Sequence, residues 1–252
     1  MKHQLTLKVD FIQRLKLDVV HICLVPEDNH DLPEMLPGQF VEVAVDRANV
    51  LLNRPFSIFN YTPRRLELLV KPLGRASAAL ADYSVGDTLR VIAPLGRGFS
   101  QLSAGKVLLV GGGVGIAPLY YQARALNNVG IRPVVIYGER TAPDKLLCAA
   151  FEEVADLHIC TDDGSAGFHG FVTEHPQLLS RDYDLMQVCG PMPMMRSLYA
   201  FASDNGVEAE FSLENKMACG LGACLCCVED TAEGNRCVCT DGPVLRKEEL
   251  KW

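Results

Sequence analysis

Cys219-Gly220-Leu221-Gly222-Ala223-Cys224-Leu225-Cys226-Cys227, with Cys237-Val238-Cys239 shortly after it, is the stretch around which the chain is organised. Cys219, Cys224 and Cys227 stand at C-x4-C-x2-C, the plant-type spacing for a [2Fe–2S] cluster. Four thiolates have to converge on two irons and two bridging sulfides. A tight loop delivers three of them and a separate segment the last. Gly220 and Gly222 suit such a loop, because glycine reaches positive φ without a Cβ clash and lets backbone N–H groups approach sulfur. Cys239 is taken as the fourth ligand, with Cys237, two residues earlier, as its rival. Cys226 abuts Cys227, and both can hardly face one iron pair. Zinc and disulfides are the competing readings. Zinc favours two separated C-x2-C pairs or mixed Cys/His ligands, and the nearest histidine, His175, is far off in sequence. Disulfides need an oxidising compartment, which nothing in the sequence suggests.

The 252 residues are 48% hydrophobic with a net charge of −7, enough for one or two domains with proper cores. The acidic balance argues against nucleic acid as the main partner. Ten cysteines, four of them crowded into one loop, fit a cytosolic redox or metal site better than a secreted scaffold. The opening MKHQLTLKVDF is polar and alternating, without an apolar signal-peptide core, so a cytoplasmic location is expected. Apolar runs are of strand length, so no membrane span is expected either.

Upstream, QLTLKV, VVHICLVP, GQFVEVAV, RPFSIFNY, LELLVKPL and TLRVIAPL read as short strands of an antiparallel barrel or sandwich, with one helical candidate at Ala76–Tyr83. Two pieces carry chemistry. In Arg54-Pro55-Phe56-Ser57 an arginine fork can clamp a pyrophosphate, an aromatic can cover a flat ring and a hydroxyl can reach a ring nitrogen. Alternation puts Arg54 and Phe56 on one side. Gly74-Arg75-Ala76-Ser77 opens the short helix, where backbone N–H groups can face an anion. The plain alternatives are a solvated arginine beside a core phenylalanine, and a strand–helix turn capped by Ser77.

The middle of the chain alternates β and α. The apolar strand Lys106–Val110 runs into Gly111-Gly112-Gly113-Val114-Gly115-Ile116-Ala117-Pro118 and then a helix. Strand, glycine-rich turn and helix together cradle a dinucleotide pyrophosphate. Gly111 and Gly113 fit the first two positions of G-x-G-x-x-G, but Ile116 holds the third, so this is not the ordinary Rossmann fingerprint. Strands in RPVVIYGE, DLHICTDD and LMQVCGP follow, with helices around 146–154, 176–180 and 193–205. An open parallel sheet is expected, with ligand beyond the carboxyl ends of its strands. Those ends carry Gly111, Gly112, Gly113, Gly115, Glu139, Cys189 and Gly190. Glu139 can accept a ribose 2′-OH, which favours NAD, while Arg140 beside it suits a 2′-phosphate. A tight turn without ligand is the alternative for the glycine run.

The order of these pieces resembles the ferredoxin-reductase superfamily, and within it the electron-transfer subunits of class 1B dihydroorotate dehydrogenases. The resemblance covers nearly the whole chain. It rests on RPFSI at 54–58, GGGVGIAPL at 111–119, TDDGSAGFHGFVT at 161–173, CGPMPMM at 189–195, SLENKMACGLGACLCCV at 212–228 and CTDGPV at 239–244. It implies an antiparallel FAD-binding β-barrel over 1–103, an open parallel NAD-binding α/β domain over 104–210 and a small [2Fe–2S] domain over 211–252. Arg54 would hold the FAD pyrophosphate with Gly74, Ala76 and Ser77, Phe56 would lie by the flavin and Ser57 would approach its N5. The family's fourth ligand precedes Asp-Gly-Pro, which selects Cys239. Departures are small: Cys226 stands where glycine or alanine is common, Phe56 replaces tyrosine or an aliphatic residue, and Leu245 stands for phenylalanine.

NADH surrenders a hydride, whereas a cluster takes single electrons, and a flavin between them can do both. Electrons should therefore run from NADH through FAD to the cluster, or back. No acid–base constellation stands out, so no catalytic residue is assigned. No eight-fold βα repeat is present to build an orotate site. The resemblance implies that a partner supplies it: an FMN-containing catalytic subunit interconverting dihydroorotate and orotate in pyrimidine biosynthesis, two of each subunit forming a heterotetramer. Two other readings stay open. One is the flavin subunit of another NAD(P)H-linked complex, of the bifurcating transhydrogenase or sulfhydrogenase type; the other is a redox sensor.

Overall fold

The structure, a computed structural model, describes residues 1–28 and 30–252. The first part closes as a six-stranded antiparallel barrel of β1 (His3–Arg14), β2 (Val20–Pro26), β3 (Phe40–Val43), β4 (Arg54–Thr62), β5 (Arg65–Val70) and β6 (Thr88–Leu95), in the order β1-β2-β5-β4-β3-β6. Alternation explains the closure. In β6, Leu89, Val91 and Ala93 point inward while Thr88 and Arg90 face solvent. Val9, Ile22, Val41, Val43, Ile58 and Leu68 complete the interior. The short helix α1 (Arg75–Ala81) lays Ala76, Leu80 and Ala81 against it.

The α/β part follows as β7 (Val107–Gly112), α2 (Ala117–Asn128), β8 (Val134–Glu139), α3 (Lys145–Val154), β9 (Asp156–Thr161), β10 (Phe168–His169), α4 (Pro176–Leu179), β11 (Leu185–Cys189), α5 (Met192–Asn205) and β12 (Ala209–Ser212). Then come the hairpin β13 (Val228–Thr231) and β14 (Gly234–Cys237), α6 (Val238–Asp241) and β15 (Val244–Arg246). The sheet order is β10-β9-β8-β7-β11-β12-β15, parallel throughout except for the last strand. β7 is buried along its whole length, as a central parallel strand covered on both faces must be. Sequence order reverses at β7, which has β8 on one side and β11 on the other. That crevice is where open α/β sheets bind ligands.

The expected break at 210/211 falls inside β12, and β15 pairs antiparallel to it with Phe211 opposite Leu245. The C-terminal segment therefore rejoins the central sheet after its own hairpin. The barrel is joined as firmly. Phe40 and Leu95 on its outer face share a core with Val110, Val188 and Phe211. In the linker, Ser100 donates its backbone N–H (3.0 Å) and its hydroxyl to the buried Glu210, which also accepts from Gln187 at 2.8 Å. No described helix is long and apolar enough to cross a membrane.

Candidate functional site

One cavity of about 310 Å³ is walled by all three parts of the chain. Phe40, Pro55, Phe56 and Ser57 come from the barrel, Val114 and Ala117 from the glycine turn and α2, and Leu213 to Met217 from the segment leading to the cysteine loop. Ser57 lies opposite Phe40, and Pro55 opposite Glu42, in the β3–β4 ladder. Arg54 does not line the cavity. Its guanidinium folds back onto the carbonyls of Leu52 (2.7 Å) and Asn53 (3.1 Å). At the head of α1, the Ser77 hydroxyl accepts the N–H groups of Leu73 (3.0 Å) and Gly74 (3.1 Å). The N–H groups of residues 75–77, in the first helical turn, have no intrahelical acceptor. Nothing stands within 4 Å of where a Cβ on Gly74 would lie. A small, uncrowded helix head of this kind suits a phosphate.

The sheet brings the other predicted residues together. Gly111 pairs with Cys189, and Gly112 with Gly138, next to Glu139. Gly115 packs so tightly on β11's end that a Cβ there would meet the Gly190 Cα at 2.6 Å. Gly113, in contrast, has open space at its Cβ position. Glu139 accepts a hydrogen bond from the Tyr137 hydroxyl at 3.1 Å, which fixes its carboxylate at the strand end. Cys189 is fully buried, and burial, with the Glu214 carboxylate nearby, pushes its thiol well up. It is therefore an uncharged wall of the crevice rather than a thiolate.

Glu214 is the residue that sequence reasoning missed. It lies two positions after β12, opens to solvent on the cavity side, and the protein packed around it pushes its carboxyl above the ordinary range. The available signal was positional: a carboxylate just beyond the end of a parallel strand.

All ten cysteines of the chain are free thiols, and the four expected ligands fall into two pairs. The Cys219 sulfur accepts the N–H groups of Leu221 (3.4 Å) and Cys224 (3.5 Å). These, with the Cys224 thiol, draw Cys219 down to about 6. The Cys227 sulfur accepts the N–H of Cys239 (3.4 Å), and the Cys239 sulfur accepts the N–H of Gly222 (3.2 Å). Burial and the adjoining Cys227 push Cys239 up to about 12, a penalty that bound metal charge would relieve. Among the described residues no three His, Cys, Asp or Glu side chains form a group that could hold a single metal ion. Two thiol pairs wrapped in N–H donors are a donor set suited to a two-iron cluster, whose sulfurs accept hydrogen bonds.

The structure separates the two candidates for the fourth ligand. Cys237 closes β14, whereas Cys239 sits within a helical turn and points inward. Cys239 is 1% exposed; Cys237 is half-exposed, with its sulfur 3.9 Å from the Gly222 carbonyl. Cys226 is exposed, with no partner in the loop's hydrogen-bond network. Gly220 (φ +62°) and Gly222 (φ +82°) hold left-handed backbone, as does Leu225 (φ +57°). A Cβ on Gly222 would touch Thr240 of α6 at 3.0 Å, and one on Gly220 would touch the Glu42 carboxyl of the barrel at 2.8 Å. The loop is thus clamped from two sides.

Comparison with known proteins agrees with this geometry. Residues 214–251 match the family described as the iron-sulfur cluster binding domain of dihydroorotate dehydrogenase B. The electron transfer subunit of dihydroorotate dehydrogenase B (NAD(+)) from Shouchella clausii is 40% identical over 224 residues, 85% of this chain and 86% of that protein. That of Listeria monocytogenes is 35% identical over 226 residues, 86% and 88% of the two chains. Among solved structures, a chain of an NADH-dependent reduced ferredoxin-NADP oxidoreductase, described in terms of flavin-based electron bifurcation, is 30% identical. It superimposes with a TM-score of 0.84 over 98% of this chain and 90% of its own. The FAD/NAD binding domain of a Vibrio cholerae nitric oxide dioxygenase shares the fold at 20% identity, with a TM-score of 0.70 over 80% of this chain and 93% of that one.

Proposed function

Because the chain belongs to the family of dihydroorotate dehydrogenase B (NAD(+)) electron transfer subunits, we propose that it carries electrons between NADH and an FMN-containing catalytic subunit. Bound FAD and a bound [2Fe–2S] cluster supply the conversion between a hydride's two electrons and single-electron transfer. The observation that carries this reading is the shared cavity. Its walls come from the barrel's Phe56 and Ser57, from Val114 behind the glycine turn, and from Met217, two residues before Cys219. A flat ring in this cavity therefore meets the nucleotide crevice on one side and the segment that becomes the cluster loop on the other.

The chain's own residues divide the work. Phe56 and Ser57 orient the ring. Gly74, Arg75, Ala76 and Ser77 receive the FAD pyrophosphate with backbone N–H groups, and Arg54 joins them by releasing its two intrachain carbonyls, with Pro55 stiffening the strand between. Gly111, Gly112, Gly113 and Gly115 admit the pyrophosphate of NADH, Glu139 takes its ribose, and Cys189-Gly190 close the floor of the crevice. Cys219, Cys224, Cys227 and Cys239 would hold the [2Fe–2S] cluster.

The partner supplies the orotate chemistry in a heterotetramer with two copies of each subunit, docked over the exposed Leu221 and Leu225 of the cluster loop. Co-expression with an FMN-barrel subunit tests this. A copurified complex reducing orotate with NADH supports it. If the chain instead copurifies with a ferredoxin- or NADP-linked subunit and no orotate activity, the bifurcating type of complex is favoured, to which its likeness at 30% identity also points.

A further inference from the structure

Glu249 gathers donors from three parts of the chain. Its side chain is 13% exposed, and each carboxylate oxygen accepts twice. Oε1 accepts from the Arg236 guanidinium at 2.7 Å and from that of Arg97 at 3.4 Å. Oε2 accepts from Arg97 at 3.0 Å and from the Arg246 N–H at 2.7 Å. Arg97 stands two residues past the barrel's β6, Arg236 lies in β14 next to Cys237, and Arg246 ends β15. The Glu249 carbonyl also accepts the Ala232 N–H at 2.8 Å, in the turn of the hairpin. Burial works to raise this carboxyl, but the Arg246 N–H and the Arg97 and Arg236 guanidiniums outweigh it and leave it below its ordinary 4.5. At neutral pH it is a carboxylate, and its hydrogen bonds are charge-assisted.

Arg97 grips the same segment with its backbone. Its N–H donates to the Gly242 carbonyl, and it forms a parallel bridge with Pro243. The Gly242 N–H in turn donates to the Val238 carbonyl at 3.2 Å, closing the helical turn that carries Cys239. Gly96, just before Arg97, packs as closely. A Cβ there would meet the Gly242 carbonyl oxygen at 2.5 Å and the Pro243 Cδ at 2.6 Å, and its φ of +74° also suits glycine. Pro243 itself lines the flavin cavity. By its backbone, Arg97 thus holds the segment between Cys239 and the cavity wall. By its side chain, through Glu249, it holds the hairpin that leads into Cys239.

We propose that Arg97 and Glu249 are positioning residues for electron transfer, fixing the cluster ligands relative to the flavin cavity. This rests on reading the cavity as the flavin site and the cysteine loop as the cluster site. Neither residue lines the cavity. They act through Pro243, α6 and the β13–β14 hairpin. In the step they govern, one electron leaves the reduced flavin, which is oxidised, and enters the cluster, where one ferric iron becomes ferrous. Hydride delivery to the flavin does not cross this joint. The onward electron does, and a positioned reaction can lose about a hundredfold in rate for a displacement of about 1 Å.

The test uses the full-length protein loaded with FAD and cluster. Stopped flow separates flavin bleaching by NADH from the later absorbance change of the cluster. Pulsed EPR reads the magnetic coupling between one-electron-reduced flavin and reduced cluster, which reports their separation. Arg97→Leu and Glu249→Gln should leave flavin bleaching, iron, sulfide and both midpoint potentials unchanged. Cluster reduction should slow by about tenfold or more, and the coupling should change. Arg97→Lys, which keeps the charge without the fork, should recover part of the rate. Wild-type rate and coupling in Arg97→Leu and Glu249→Gln overturn the proposal. So does a slowing accounted for entirely by a shifted potential of flavin or cluster. Should Glu249→Gln fail to hold iron, Arg97→Leu decides, because its backbone bond to Gly242 remains. A wild-type protein without flavin or without a cluster signal contradicts the site readings themselves, whereas normal cofactors indifferent to positions 97 and 249 contradict this proposal alone.

Discussion

The Phe59 ring of the barrel stacks on the Tyr120 ring of α2, with centroids 4.6 Å apart and planes 18° from parallel. Tyr120 in turn meets Phe151 of α3 edge-on at 5.1 Å. This aromatic column is the apolar half of the joint between barrel and nucleotide unit, and it keeps the cavity walls in register. Tyr120→Leu retains most of the apolar contact but loses the stacking, so it should cost about 1 kcal/mol. Urea denaturation followed by circular dichroism and by flavin fluorescence checks this. Both signals should shift together, since the two parts share one core.

The polar half of the joint makes stability pH-dependent. Glu67 accepts from His21 at 2.7 Å and from Asn60 at 2.9 Å, and Asn60 accepts from Arg124 of α2. Burial works to raise the Glu67 carboxyl, but the His21 and Asn60 hydrogen bonds, with Arg124 nearby, outweigh it and leave it below its ordinary 4.5. A depressed carboxylate stabilises the fold above its unfolded-state value, and that contribution disappears as pH falls through the folded value. Glu67→Gln should therefore cost about 1–3 kcal/mol at pH 7. The gap to wild type should close as pH drops below about 4.5. Melting temperatures across pH 3–7 provide the measurement.

Glu139 at the end of β8 should favour NADH, because a 2′-phosphate beside a carboxylate is repelled. Stopped-flow reduction of the flavin should be faster with NADH than with NADPH at equal concentration. Glu139→Gln should narrow that preference by up to about tenfold, equivalent to 1.4 kcal/mol. A wild-type protein that prefers NADPH would give Arg140 the leading role instead.

The cysteine assignments separate cleanly. Cys239→Ser should lose iron and sulfide while flavin reduction by NADH survives, because serine nearly keeps the buried volume at that position of the shared core. Cys237→Ser and Cys226→Ser should keep near-normal iron and sulfide contents. Emptying of the site by Cys237→Ser with retention in Cys239→Ser would exchange the two assignments.

The parts of the site that the sequence announced are those whose chemistry demands particular residues at fixed spacing. The C-x4-C-x2-C loop, the glycine turn after an apolar strand and the RPFS strand are each local patterns. The barrel and the parallel sheet were legible through alternation and β/α order. What stayed hidden depends on contacts distant in sequence. β15 is three residues long and owes its existence to β12, about thirty residues upstream. The helical turn that buries Cys239 spans only VCTD, too short for any period. Glu42 reads as a solvent position of an alternating strand, and only the loop folding over it from 178 residues away makes it a buried acid. Glu214 carries no motif of its own and becomes part of the cavity through the ends of neighbouring strands.

The central claim is that electrons from NADH reach the cysteine loop through a flavin held in the shared cavity. Anaerobic addition of NADH to the purified protein, with the flavin followed by absorbance and matched samples frozen for EPR, tests it most directly. The account predicts that the flavin bleaches and a rhombic [2Fe–2S] signal appears from the same NADH, and that Cys239→Ser bleaches without the signal. Bleaching of the wild type with no EPR signal, accompanied by stoichiometric zinc and no acid-labile sulfide, would contradict it.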